Sequence, residues 1–546
     1  CTQSCQLEPE IFSEIRPENF FEDEAQLVAF TSSAYSSLNG WFGSFVQEMG
    51  VISDELANPL RSNDGWGTNT DAMSHNFRAN DNWVGGPWGI AFRGTATCNR
   101  LIEFLEGLET DQTIAISELR ALRALYLWVG LDTYGNIPVE LRFAEADAAP
   151  SQVTPAEAFA IIETELKESI PNLNSGKNTA TYAKINQSAA NMVLAQLYIN
   201  AERYGVSAKW AEAAATAKLI IDTGDYSLES GYFSNFFINN VSSNENILVI
   251  PYERNRIDNN IALATLHQSA SPTFGLSAQP WGGYSVKADF YNTFDSNDYR
   301  RGMFIAGQQY TKAAGPLWDA TLGFLYSNPQ DEFKIFDCGE DYNILTNVER
   351  AHWGLPQLAS GQTANDLSPA DFEVACGIVI DTNPNPILRE VSGRSEDMLK
   401  YRDGARMGKF ELEVGTNVPS GSNNDYPIFR YAETLLIRAE ALWRQSSGNA
   451  ESLILVNELR SRAGLTTLGA LTENDLYWEY RHEMALEGHG RRLAIRFGHF
   501  EDEWSWKRTD PAAPGDTYVP APYKRWYPIP EGEINANGNL NQNPGY

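Results

Sequence analysis

Segment after segment of this chain returns an apolar residue every three or four positions, and these segments fall into two groups separated by a long aperiodic stretch. That period belongs to helices with one buried face. The first group includes PENFFEDEAQLVAFTSSAYSSLNGWF, PWGIAFRGTATCNRLIEFLEGL, ISELRALRALYLWVGLDTYG and TPAEAFAIIETELKESIPNL. In the last of these, Thr154 is the expected N-cap and Pro155 the first helical residue. NQSAANMVLAQLYINAERYG and KWAEAAATAKLIIDTG follow, and their small residues Ala189, Ala190, Ala195, Ala213 and Ala214 let helices approach closely. The second group holds FRYAETLLIRAEALWRQ, ESLILVNELRSRAGL and TENDLYWEYRHEMALEG.

The chain thus divides into an N-terminal segment (1–17), a helical scaffold (18–230), a loop-rich region (231–424) and a second helical part with a Pro- and Asn-rich tail (425–546). The fold class expected is mostly α. Its helix pairs stack in a tetratricopeptide-like way, although no strict 34-residue signature repeats. They support an irregular, partly β region with short strand-like runs such as NILVIPYE and CGIVID. Because helical zones flank the irregular one, a single interleaved body is expected. Long irregular segments inside compact proteins usually carry function.

Charge and motifs narrow the function. A balance of 41 basic against 71 acidic residues gives a net charge of −30, which repels phosphate backbones and argues against nucleic acid as a partner. No run approaches the roughly 18 apolar residues of a membrane helix. Cys1 at the start matches a processed bacterial lipoprotein, in which that thiol carries lipid. Cys338 and Cys376 share one loop-rich region and could pair, whereas Cys98 sits in an apolar helical pattern as a buried thiol. RHEMALEGHGRR (481–492) suggests HExxH zinc chemistry, but His482 and His489 are seven residues apart. That is roughly 10 Å along a helix, too far for one zinc ion. GxSxG, GxxxxGK[ST] and GxGxxG are absent as well, which together favours a protein that is not an enzyme.

Aromatic residues in Asn-, Asp- and Gly-rich loops are the binding candidates. NDGWGTNTDAMSHNFRANDNWVGGPW contains Trp66, Arg78, Asp81 and Trp83, while AQPWGGYSVKADFY and QQYTKAAGPLWDA add Trp281, Tyr284, Tyr310 and Trp318. A sugar ring has an apolar C–H face and a rim of hydroxyls, so an exposed ring beside polar side chains suits it. Equally, these rings could pin long loops onto the body. Trp88, at a helix start, is read as packing. No cofactor is expected, although Asp295, Asn297 and Asp298 in DSNDYR offer either calcium ligands or a solvated turn.

Several stretches resemble one family. YPIFRYAETLLIRAEALWR followed by NELRSRAGL is similar to segments of SusD/RagB proteins, as are ELRALRALYLWVGLDTYGNIPV and YRHEMALEGHGRRLAIRFG. The ending YPIPEGEINANGNLNQNPGY resembles that family's PIPxxEIxxNPxLxQNPGY. Gly490 and Ala494 depart from the family's aromatic and Asp. The resemblance implies a SusD-like fold of four tetratricopeptide-like helix pairs and a lipid anchor on Cys1, with Cys5 also fitting the spacing. It also implies an outer-membrane, cell-surface location in Bacteroidota and a SusC-like TonB-dependent transporter as partner. The function implied is non-catalytic capture of oligo- or polysaccharide for uptake. Peptide capture or an accessory role without glycan binding is the alternative, and an α-helical glycoside hydrolase is a third. Under this reading Arg481, Glu483 and Glu487 tie a helix to its neighbours, and Gly488 ends that helix.

Overall fold

A computed structural model describes residues 24–57, 72, 75, 78–143, 149–254, 256–257, 261–266, 276, 280–281, 283–305, 317–321, 323–325, 347–352, 356–363, 366–368, 371, 405–412, 422–502 and 520–546. Helices α1 (Gly85–Glu106) and α2 (Thr113–Tyr134) form an antiparallel pair. Helix α3 (Pro155–Ser169) packs on α2, and α4 (Gln187–Ile199) packs on α5 (Trp210–Thr223). At the start of α3 the Thr154 Oγ1 accepts from the Glu157 N–H at 3.3 Å, and Glu157 Oε2 accepts from the Thr154 N–H at 2.8 Å. This reciprocal capping is what the Thr-Pro start predicts. Ala189, Ala190, Ala195 and Ala213 are fully buried, so the small residues do sit where helices meet.

The partner of α5 comes from far along the chain. Helix α6 (Tyr431–Gln445) packs against α5, and the residues between them, 224–430, are inserted within one helix pair. Helices α7 (Ala450–Arg462) and α8 (Glu473–Glu483) follow, then α9 (Gly490–Arg496). The insertion is clamped at its base by two antiparallel strands, β1 (Asn246–Ile250) and β2 (Tyr426–Arg430), buried along their whole length. Tyr426 faces Ile250 and Arg430 faces Asn246, with a register shift at Pro427–Phe429. The NILVIPYE run is therefore a strand, whereas CGIVID lies outside the described residues. One hydrophobic core runs from Ala34 to Leu540, so the two helical zones share an interior.

Around β2 lies a buried ionic network. Arg430 reaches Glu487 at 2.7 Å, Glu245 at 3.1 Å and Glu483 at 3.2 Å. Arg462 pairs with Glu245 and Glu483, and Lys409 reaches Glu487 at 2.7 Å. Arg300 binds Glu479 at 2.7 Å, Asp298 at 2.8 Å and Glu483 at 3.2 Å. Burial pushes Glu487 upward, but Arg430 and Lys409 more than offset it and hold the carboxyl below its ordinary value. Burial pulls Lys409 down to about 8 despite Glu487 beside it.

RHEMALEGHGRR is thus a structural segment, as expected from its charges. His482 Nε2 meets Thr293 Oγ1 at 3.0 Å, while His489 Nδ1 lies 3.1 Å from Glu433, so the two imidazoles serve different neighbours. Helix α8 ends at Glu483, earlier than Gly488. Gly488 serves another purpose. Its φ is +85°, and a Cβ there would lie 2.8 Å from the Phe45 carbonyl oxygen. Gly490 also has a steric cause, because a Cβ would meet Glu55 at 2.6 Å and Ser53 at 2.9 Å. A larger side chain there has no room beside Ser53–Glu55.

Two outcomes follow. Arg430→Met leaves Glu245, Glu483 and Glu487 short of a countercharge and should cost about 3–5 kcal/mol, seen as a lower urea midpoint. Glu55 is 1% exposed and its carboxyl is pushed up by burial, against Arg481, from 4.5 to about 7. Its contribution to stability is intact below pH 4.5 and is lost as pH rises through 7, a change of about 3 kcal/mol. Glu55→Gln should therefore unfold later than the parent at pH 8, with the difference closing by pH 4.5; a gap independent of pH would contradict this.

Candidate functional site

The insertion meets the N-terminal part of the chain through short backbone pairings. Leu56–Ala57 pairs antiparallel with Ser285–Val286, and Val286 bridges on its other side to Ala405. Lys287 fixes this junction with its N–H on the Glu55 carbonyl at 3.0 Å and its Nζ on the Ser53 carbonyl at 2.8 Å. Buried Arg406 donates from Nη1 to the Tyr284 carbonyl at 2.8 Å. Just upstream, the Tyr284 and Trp281 N–H groups donate to the carbonyls of Ala264 and Leu263 at 3.1 and 2.7 Å.

These bonds hold the backbone of 281–287 against its neighbours, yet they give its two rings opposite fates. The Trp281 side of the segment faces outward and the residue is 41% exposed, whereas Tyr284 is 2% exposed and belongs to the core. Tyr284 is therefore corrected from an expected ligand contact to a packing residue. Trp83 is corrected in the same way. It is 4% exposed, and its ring meets Tyr527 edge to face at 5.4 Å, filling space between the start of α1 and the C-terminal tail. Trp88 packs against Phe92 and Tyr134, as expected.

Arg78 and Asp81 share one turn. The Arg78 N–H donates to Asp81 Oδ2 at 2.7 Å, and the Glu531 N–H ties the same turn to the tail through the Ala79 carbonyl at 2.9 Å. Arg78 is exposed and Asp81 half-buried. Trp66, Tyr310, Cys1, Cys5, Cys338 and Cys376 lie outside the described residues. Trp318 lies in a two-stranded ribbon, Leu317–Asp319 with Gly323–Leu325, and its side chain is likewise outside the description. Cys98 is a buried thiol.

The carboxylates near DSNDYR are already engaged. Asp298 gives both oxygens to the Arg300 guanidinium, and Asp295 Oδ1 accepts from the Asn297 N–H at 2.8 Å. Asp295 and Asn297 are exposed in this loop, whereas Asp298 is buried against Arg300. Among the described residues no three His, Cys, Asp or Glu side chains come together as a metal site. Among them, too, no helix is long and apolar enough to cross a membrane.

A signal for Trp83 was present in the sequence. Trp83, Val84, Pro87, Trp88 and Ala91 repeat at helical spacing, and all five are buried. The Gly and Asn residues around them disguise that period as a loop. Arg406 and Lys287 carried no such signal, because each acts on a backbone brought close only by folding.

Known proteins match this architecture. The chain is 27% identical over 470 residues to the starch-binding protein SusD of Bacteroides thetaiotaomicron, covering 82% of this chain and 76% of that protein. A SusD superfamily protein from Parabacteroides distasonis superposes with a TM-score of 0.68 at 17% identity, covering 96% of this chain and 99% of the other. Surface glycan-binding protein A from Bacteroides thetaiotaomicron, in complex with laminarihexaose, superposes with a TM-score of 0.66 at 19% identity, covering 95% and 99%. The sequence model of the SusD family matches residues 244–546, more than half the chain. With the helix pairs and the terminal motif in agreement, the chain belongs to the SusD family.

Proposed function

We propose that this protein is a non-catalytic, cell-surface glycan-binding protein that captures a neutral oligo- or polysaccharide and passes it to a SusC-like TonB-dependent transporter in the outer membrane. The observation that carries the reading is Trp281. It is a large ring left 41% exposed on a backbone that is bonded to Leu263 and set beside a buried junction. An exposed indole face of this kind suits the apolar C–H face of a sugar, which covers it without demanding a charge. The name of the starch-binding relative and the laminarihexaose complex of a structural neighbour support the same ligand class. Arg78 and Asp81 in their shared turn, Trp318 in its short ribbon and Trp66 by its place in the sequence remain candidate contacts.

Native gels containing starch, laminarin or other neutral polysaccharides test the proposal. Retarded but intact polymer is the expected result; degraded polymer would indicate an enzyme, and no retardation by any glycan would remove the reading. Trp281→Ala should weaken binding at least tenfold, about 1.4 kcal/mol, with an unchanged unfolding midpoint. Trp83→Ala should behave in the opposite manner. It should lose about 3–5 kcal/mol of stability while any folded fraction binds normally in calorimetry.

A further inference from the structure

Away from Trp281 the insertion and the scaffold form a cleft of about 850 Å³. One wall is the turn from Asp295 to Tyr299, and the other is the loop after α7 together with the first half of α8. Its size is within the roughly 300–1,000 Å³ usual for small-molecule sites. It shares no residue with the Trp281 segment.

Two rings line it. Tyr299 is 39% exposed, and its position is set in advance. Its N–H donates to the Ala463 carbonyl at 2.9 Å. Its ring lies against Gly464, where φ is +78° and a Cβ would come within 2.6 Å of the Tyr299 Cζ. Trp478 is half-buried and leans on the His482 ring at 5.6 Å. A glycine that seats an exposed tyrosine ring makes a preorganised apolar plate, which loses little entropy on binding.

The polar groups of the cleft divide into two kinds. The charged ones are largely matched internally: Arg460 reaches Glu479 at 3.5 Å and the Thr466 carbonyl at 3.0 Å, and Asp475 caps Thr472 at 2.9 Å. His482 is held neutral by burial, with Arg300, Arg481 and Arg460 adding to the effect. The neutral ones are open. The Tyr299 hydroxyl, the Trp478 indole N–H, the Asn474 amide and the Ser296 hydroxyl make no hydrogen bond among the described residues. Among the described residues lining the cleft the one cation, Arg460, already faces Glu479 and the Thr466 carbonyl, and Asp295 at the exposed rim repels an anion. Two aromatic rings and unsatisfied neutral donors and acceptors lining one cleft describe a site for polyhydroxylated, uncharged rings.

We propose that this cleft is a second saccharide-binding site, which takes a short neutral stretch of the captured polymer between Tyr299 and Trp478. The inference rests on the glycan-binding reading of Trp281 and deepens it. Two sites on one chain raise the effective concentration of a long polymer at each, so retention grows with polymer length without any new contact at the first site.

The test is affinity electrophoresis in starch, laminarin and other neutral polysaccharides, using Tyr299→Ala, Asn474→Ala and Trp478→Ala in the parent and in a Trp281→Ala background. Tyr299 and Asn474 are exposed, so their variants keep the test open if Trp478→Ala fails to fold. Expected is a roughly two- to tenfold weaker retardation for Tyr299→Ala, and loss of the residual retardation when it is combined with Trp281→Ala. Parent retarded and all three single variants retarded equally would overturn the second site and leave the Trp281 reading standing. A parent retarded by no glycan would overturn both.

Discussion

The insertion is held in register by buried charge as well as by strand pairing. Arg430 is the centre of that network. It stands at the end of β2, where the inserted chain rejoins the scaffold, and it contacts a carboxylate from the insertion, Glu245, together with two from the α8 region, Glu483 and Glu487. Arg300 and Lys409, also in the insertion, bind the same stretch. An apolar core would accept the insertion in many orientations, since apolar contact is not directional. A set of buried carboxylates with specific guanidinium partners tolerates few, because any misplacement leaves a charge unmatched. About two hundred residues can thus leave the middle of a helix pair without separating its helices.

How much of this was legible in the sequence follows from what each feature depends on. Helices α1 to α8 follow an apolar period that is local, and Thr154 and Pro155 fix the start of α3 from four residues of sequence. The β1 run is readable for the same reason. The split pair of α5 and α6 is not local, and only the presence of helical zones on both sides hinted at it. Exposure is harder still. Trp281 and Tyr284 stand three residues apart in similar surroundings, yet one is outside and the other in the core. The difference is set by Ala264, Ala405 and Arg406, which reach that segment only through the fold. The cleft at Tyr299 was hidden for a related reason: DSNDYR reads as a turn or a cation loop, and nothing in it announces Gly464 or Trp478 opposite.

The distribution of charge carries the last step. The chain has a net charge of −30, and many of its described arginines turn inward: Arg123, Arg203, Arg300, Arg430, Arg438, Arg462, Arg481 and Arg496 each pair with a carboxylate. Paired arginines contribute little to the outside field, so the acidic excess is expressed at the surface, where it repels polyanions and keeps the molecule soluble. A neutral polymer meets no such repulsion. Its apolar faces and hydroxyls suit rings and uncharged donors and acceptors, and many of the described arginines that would grip an anion are already paired within the fold. The same arginines that register the insertion therefore leave its exposed rings, Trp281 and Tyr299 among them, as the surface best suited to a neutral ligand.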